Sequence, residues 1–280
     1  MTADDYLSLI DDWRDPFPTP HIEQHDDIYV VRDDLLNAGS KVRFLDYLIG
    51  RDPSTSAIRE WVFGSCPATG YAQISLPVLC ARYDKTAVLF MAQRDPSKLH
   101  EYQKRGASLG AVYQWVPNGM LSVTQKRARD YANADPTTRQ VLPLGLEHPT
   151  VIASIIRVAR SLPLVPDVVW TVGSSGTLSR GLQLAWPDAE VHVVSVGHQM
   201  SERERGRAHV HLTPYKFDRP VRAEDAPPFP SAPTYDAKAW RPLLTWRDSR
   251  TTNLAMPSAG RSAAINMLTR QKILLWNVGA

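Results

Sequence analysis

Apolar and polar positions along this chain fall into two alternating rhythms. Short, nearly continuous apolar runs at 86–91 (TAVLFM), 111–115 (AVYQW), 168–172 (VVWTV) and 191–196 (VHVVSV) read as buried strands. Between them lie stretches with helical spacing. Residues 72–80 and 120–131 are two of these, and 150–162 carries Ile152, Ile155, Ile156 and Ala159 along one face. Helices are also predicted over 97–105, ended by Gly106, and over 177–186, closed by Pro187. A last strand-like run covers 272–280. Strands alternating with helices build mostly parallel sheets, because a parallel crossover needs room for a helix. The expected class is α/β.

The segment 214–234 breaks both rhythms. Pro214, Pro220, Pro227, Pro228, Pro230 and Pro233 predict an ordered but irregular crossing. No internal repeat is visible, and 280 residues suffice for one large α/β unit or two lobes. No stretch is apolar enough to span a bilayer, and the opening MTADDYLSLIDDW lacks the basic and apolar regions of a signal peptide. Cys66 and Cys80 do not make a disulfide framework. The expectation is a cytoplasmic protein with no membrane partner. Net charge is only +3, yet lysine supplies eight of the 32 basic residues. Arg203, Arg205 and Arg207 cluster in SERERGRAH, which reads either as a solvated loop laced with Glu202 and Glu204 or as a surface for an acidic or nucleic-acid partner.

Candidate chemistry concentrates at two turns. Gly173-Ser174-Ser175-Gly176-Thr177 lies between a predicted strand and a predicted helix. Small residues there let a phosphate approach the backbone, and the helix aims its unpaired N–H groups and positive dipole end at it. Neither the Walker spacing nor the GxGxxG fingerprint is present, which points to a smaller phosphorylated ligand than a nucleoside triphosphate or NAD. The second turn, Ala38-Gly39-Ser40, precedes a helix with Val42, Leu45 and Leu48 on its apolar face and Lys41 in its first turn. Helix N-termini repel cations. Such a placement helps depress an amine pKa, as a Schiff-base lysine requires; a plain exposed lysine is the other reading.

These segments carry a resemblance. GSKVRFLDYL (39–48) resembles the G-N-K-x-R-K-x-x-x-L segment of fold-type II pyridoxal-phosphate enzymes, of the aminocyclopropane-carboxylate deaminase and D-cysteine desulfhydrase kind. The loop 64–73 (GSCPATGYAQ) is similar to that superfamily's substrate loop, 173–177 to its phosphate cup, 233–240 (PTYDAKAW) to its Y-x-x-K-A element, and 275–279 (LWNVG) to its L-H-T-G-G segment. The resemblance implies pyridoxal 5′-phosphate as cofactor, with Lys41 as the Schiff-base lysine, Gly173, Ser174, Ser175, Gly176 and Thr177 around the phosphate, and Asn277 at the pyridine nitrogen. It also implies that Ala68, Thr69, Gly70 and Tyr71 face the substrate, and that Tyr71 and Tyr235 do catalytic work; for Tyr235, packing against Trp240 is the alternative. Two positions depart from the pattern. Ser40 stands where relatives have asparagine, and Tyr71 stands where they have the asparagine that bonds the ring hydroxyl.

The implied architecture is two-lobed, each lobe a mostly parallel sheet flanked by helices. A large cofactor-binding lobe takes 1–58 and 142–280, and a small inserted lobe takes 59–141. The implied function is a lyase acting at the α-carbon of a small amino acid by deamination, elimination or decarboxylation, in a homodimer. One alternative is a decarboxylase that tailors an amino-acid-modified thymine in phage DNA, working in the host cytoplasm. Another is an inactive phosphate-ligand-binding protein. Elsewhere, Cys66 reads as a nucleophile or a small packed thiol, Cys80 as core, and His148 as an acid–base group or a loop residue. His209 and His211 alternate like strand residues without the companions a metal site needs, so no metal is expected.

Overall fold

The computed structural model describes residues 1–197, 199–254 and 271–279. In chain order, the strands among them are β1 (Ile22–His25), β2 (Ile28–Arg32), β3 (Glu60–Phe63), β4 (Thr86–Ala92), β5 (Val112–Val116), β6 (Arg139–Leu142), β7 (Val168–Gly173), β8 (Glu190–Ser195), β9 (His209–Leu212) and β10 (Ile273–Asn277). The helices are α1 (Ala3–Leu7), α2 (Lys41–Phe44), α3 (Asp46–Gly50), α4 (Ala72–Arg82), α5 (Glu101–Ser108), α6 (Leu121–Asn133), α7 (Pro149–Arg160), α8 (Thr177–Ala185), α9 (Glu202–Arg205) and α10 (Trp240–Leu254). The chain is α/β and forms two compact units: Met1–Phe17 with Leu36–Ser154, and Pro18–Leu35 with Ile155–Ala280.

The first unit is built on a four-stranded sheet in the order β5-β4-β3-β6, with every pair parallel. Val62, Val88, Phe90 and Val116 on its strands meet Ala128 and Ala132 of α6. That helix sits close because Gly64 has no side chain: a Cβ there would lie 2.6 Å from the Thr124 carbonyl. Thr124 Oγ1 donates to the Gly64 carbonyl at 2.7 Å and fixes the contact. On the α3 side, the buried Asp46 carboxylate accepts from Trp13 Nε1, Arg51 Nε and the Tyr83 hydroxyl, so its desolvation is offset by three donors.

The second unit is built on a six-stranded sheet in the order β1-β2-β10-β7-β8-β9. Only the β1–β2 hairpin is antiparallel. β10 lies between β2 and β7, with Leu275 opposite both Val30 and Trp170. Trp170, Val172 and Val194 pack against Trp240 and Leu243 of α10. Gly181 of α8 closes on Ile155, whose Cγ2 would be 2.4 Å from a Cβ.

The predicted strands and helices are present, with four differences. The helix expected over 97–105 is α5, 101–108, and it runs through Gly106. Asp95-Pro96 starts a separate 3₁₀ turn, and His100 caps α5 in a capping box with Gln103. Gly106 is not a terminator here. It admits the Tyr113 hydroxyl and the Gln73 carbonyl, 2.3 and 2.6 Å from where a Cβ would stand. That carbonyl has no N–H to bond four residues on, because Pro77 supplies none.

Secondly, the single helix expected after Ser40 is two short ones, α2 and α3, parted at Leu45 (φ −94°, ψ −5°). Thirdly, SERERGRAH is not simply a solvated loop. Residues 202–205 form a helical turn, and Arg207 donates to the carbonyls of Gln183, Trp186 and Ala189, three groups at and beyond the end of α8. Finally, the last strand ends at Asn277, and Ala280 lies outside the described residues. The proline-rich 214–234 is irregular but tied down, through Ala232 N–H to the Gly279 carbonyl and Val221 N–H to the Pro233 carbonyl.

Candidate functional site

Lys41 opens α2 directly after a strained turn. Ala38 and Gly39 both hold left-handed backbone, at φ +74° and +70°. For alanine that conformation costs roughly 1 kcal/mol or more, and neighbouring contacts must hold it in place. Here Ser75 Oγ of α4 donates to the Ala38 carbonyl at 2.5 Å. The turn itself is buried and Lys41 is half-buried at its end.

The loop 64–71 lies within electrostatic reach of that lysine: the Lys41 charge acts on the Cys66 thiol. Gln73 organises this loop. Its fully buried side-chain amide donates to the carbonyls of Ala68 (2.7 Å) and Gly70 (2.9 Å), while its Oε1 accepts from the Tyr113 hydroxyl (3.1 Å). The Gly70 N–H bonds back to the Pro67 carbonyl at 2.8 Å. A Cβ on Gly70 would be 2.8 Å from both Cys66 Sγ and Pro67 Cδ, so glycine alone fits there. Ala68, Thr69 and Gly70 thus form one turn with its geometry fixed from below.

Cys66 lies in the loop that leads into α4, and its thiol donates to the Gly70 carbonyl at 3.5 Å. Burial pushes the thiol up to about 12, with the Gln73 and Ala72 N–H groups and Lys41 opposing. It therefore stays protonated at neutral pH, the state of a packed thiol rather than a nucleophile. Tyr71 is the N-cap residue of α4 but caps it with no side-chain bond. Its ring meets Tyr102 edge-on at 5.4 Å.

In the second unit, Gly173-Ser174-Ser175-Gly176-Thr177 forms the predicted strand-to-helix turn. Gly173 ends β7 and Gly176, at φ +70°, is the N-cap of α8. A Cβ on Gly176 would lie 1.9 Å from the Glu204 carbonyl oxygen, and one on Gly173 would lie 2.9 Å from Val193 Cγ2. Ser175 and Thr177 share a hydrogen bond at 3.1 Å between their buried hydroxyls. Glycines that admit no side chain, hydroxyl donors and the unpaired N–H groups of a nine-residue helix make a cradle whose chemistry suits a phosphate.

Tyr235 lies beside this cradle, where Ser174 acts on its phenol. Burial pushes the phenol up to about 12, the Asp236 charge adding to the effect and Ser174 opposing. Tyr235 also packs against the cluster that contains Trp240, so its two readings describe opposite ends of one side chain. The neighbouring Asp236 is buried, at 4% exposure. Lys238, two residues on, donates to the Lys216 and Phe217 carbonyls, which pins the irregular crossing. Asn277 is buried at the end of β10. Its amide donates to Asp34 Oδ1 (2.8 Å) and the Pro230 carbonyl (3.0 Å), and its Oδ1 accepts from Ser231 (2.7 Å).

Other candidates take structural places. His148 Nδ1 lies 2.8 Å from Thr150 Oγ1 and accepts the Thr150 N–H, so it caps α7; burial lowers its pKa. Cys80 is buried within α4. His209 and His211 lie on β9 beside the buried His192, whose ring stacks on Trp170 at 4.5 Å. Gln73 and Asp236 were not singled out by sequence, and the capping role of Arg207 was not foreseen. The one signal for Gln73 is a long polar side chain opening a helix that is otherwise nearly all apolar.

No protein-family model matches this chain, and no curated protein does. Solved structures do match in fold. The chain is similar to an ACC deaminase homologue at 15% identity and a TM-score of 0.73, covering 98% of this chain and 94% of that one. It is similar to the processed form of threonine deaminase isoform 2 from Solanum lycopersicum at 14% identity and a TM-score of 0.62, covering 99% and 84%. A pyridoxal 5′-phosphate-dependent aspartate racemase matches at 13% identity and a TM-score of 0.55, covering 99% and 94%. Two mostly parallel-stranded units, a Gly/Ser strand-to-helix cradle and these matches over nearly the whole length lead to one statement: the chain has the fold of the fold-type II pyridoxal-phosphate enzymes.

Proposed function

We propose that this protein is a pyridoxal-phosphate-dependent lyase acting at the α-carbon of a small amino acid, with Lys41 as the residue that carries the cofactor. The observation that carries this reading is the cradle at 173–177, where two glycines admit no side chain and three hydroxyl residues surround the start of α8. When bound, the cofactor supplies an electron sink for charge developing at the substrate's α-carbon. The chain's own residues do the rest. Residues 173–177 hold the phosphate by N–H and hydroxyl donation. Asn277 would hold the ring nitrogen; its Oδ1 has a second lone pair, so it can accept another proton donor while keeping Ser231. Lys41 would serve as the base that moves a proton at the α-carbon.

Ala68, Thr69, Gly70 and Tyr71 face the substrate carboxylate in this reading. In this reading the carboxylate relies on the turn of the loop and on Thr69. Tyr71 and Tyr235 supply hydroxyls for proton transfer. The phenol of Tyr235, raised to about 12, is a donor at neutral pH and not a base. The functional lobes follow the sequence division, 1–58 with 142–280 and 59–141, and the protein works as a cytoplasmic homodimer.

A second reading is a decarboxylase acting on an amino acid already attached to a DNA base. Arg203 and Arg205 favour it, because both are exposed on α9, the helical turn whose Glu204 carbonyl closes on Gly176. One experiment separates the readings. Purified protein with pyridoxal phosphate is offered free amino acids and amino-acid-modified DNA, with ammonia, keto acid and carbon dioxide measured at two salt concentrations. Turnover of a free amino acid, insensitive to salt, supports the first reading. Turnover of DNA alone, falling steeply with salt through counterion release, replaces it with the second. No turnover in either arm, together with full cofactor binding by a Lys41→Ala variant, leaves a binding protein.

A further inference from the structure

A cavity of about 480 Å³ opens beside the edge strand β9, under α10, within the second unit. Its volume falls in the range of small-molecule sites. His211, Tyr215, Lys238, Arg241, Thr245 and Trp246 are among its lining residues, and none has a part in the chemistry proposed above.

The charge in this cavity is unbalanced. Lys238 is 2% exposed, and its ammonium donates to two backbone carbonyls, those of Lys216 (2.9 Å) and Phe217 (3.0 Å). Among the described residues, no carboxylate lies within ion-pair distance of it. The Asp218 charge acts on this ammonium without pairing with it, so one N–H stays open, and a buried ammonium with an open N–H is stabilised further by an anion in contact with it. The acid in the cavity wall, Asp225, is already engaged: it accepts from the Tyr215 hydroxyl and pairs with Arg222 at 3.0 Å. Arg241 reaches it only at 3.8 Å and stands at 64% side-chain exposure, so its fork of donors is open to a ligand. The rest of the wall is aromatic. Trp246 and His211 both pack on the Trp170 ring, at 5.7 and 4.5 Å, and the His211 ring is further held by a 2.8 Å bond to His192. Rigid aromatic faces favour a flat ring over an aliphatic chain.

We propose that this cavity binds a small anion, a phosphate or carboxylate, borne on an aromatic or heterocyclic ring. The anion lies against Lys238 and Arg241, and the ring against Trp246, His211 and Tyr215. Two sources share this chemistry, a nucleotide and an aromatic acid.

The test is calorimetric titration of full-length protein that has been saturated with pyridoxal phosphate and desalted. The probes are uridine 5′-monophosphate, benzoate, uridine and inorganic phosphate. The expected result is saturable binding of uridine 5′-monophosphate or of benzoate, whichever is the source, at least tenfold tighter than uridine or inorganic phosphate. Arg241→Gln, at an exposed position, weakens it about tenfold. Thr245→Trp, also exposed, fills the cavity and abolishes it. Pyridoxal phosphate occupying the cofactor site in every titration separates this site from that one. Absence of saturable binding by all four probes overturns the proposal. So does inorganic phosphate binding as tightly as the ring-borne anions, or unaltered binding in both cavity variants.

Discussion

Gly176 shows how much a single residue decides in the cradle. At φ +70° an alanine already costs about 1–2 kcal/mol, and its Cβ would stand 1.9 Å from the Glu204 carbonyl, so backbone must move as well. Gly176→Ala is therefore expected to lower thermal stability and to weaken pyridoxal phosphate binding at least tenfold, read by melting and by cofactor titration. Cys66 gives the opposite expectation. With its thiol pushed to about 12 it is protonated, and Cys66→Ser keeps a donor for the Gly70 carbonyl. Turnover of that variant should stay within about threefold of the parent, with stability within about 1 kcal/mol. A loss of a hundredfold or more would make Cys66 a nucleophile after all. The cradle was legible in the sequence because its five residues are adjacent. The nearness of Tyr235 to Ser174 was not, since about 60 residues of chain separate them.

The same contrast runs through the elements. β4 and β7 are continuous apolar runs buried along nearly their whole length, and sequence reads such strands directly. β1, β2, β3 and β6 escape the sequence reading; β1, β3 and β6 are four residues long and carry charge, and β2 is a five-residue run ending in Arg32. Their charges are satisfied by partners that sequence does not display: Glu60 of β3 faces Arg139 of β6 in register and pairs with it at 2.7 Å. α5 was misplaced because Gly106 acts by close packing and not as a helix stop. At this scale Gln73 is the residue to change. Gln73→Leu removes the amide from the Ala68 and Gly70 carbonyls and strands the Tyr113 hydroxyl. Such losses cost about 1–3 kcal/mol. The account predicts that loss in denaturant unfolding, with KM for the substrate raised more than kcat is lowered. A variant with unchanged KM would mean the loop does not hold the substrate.

Over the whole molecule, acid should act first through the second unit. His192 is held down to about 4, by burial first, with Glu190 opposing and His211 and His209 adding to the shift; His211 is lowered in the same sense by its own burial. A histidine whose folded pKa lies below its ordinary 6.5 takes up more protons when unfolded. Its contribution is complete above about pH 6.5 and is lost as pH falls toward 4. Melting temperature should therefore drop through that window, and His192→Gln should flatten the profile; a flat parent profile contradicts the assigned environment. The central claim, that this fold carries pyridoxal phosphate on Lys41, has its most direct test in one measurement. Purified protein is mixed with pyridoxal phosphate, its visible absorbance recorded, the adduct fixed with borohydride and the labelled peptide mapped by mass. The account predicts a visible band and a label on Lys41. A colourless protein, or a label on Lys238 or any other lysine, contradicts it.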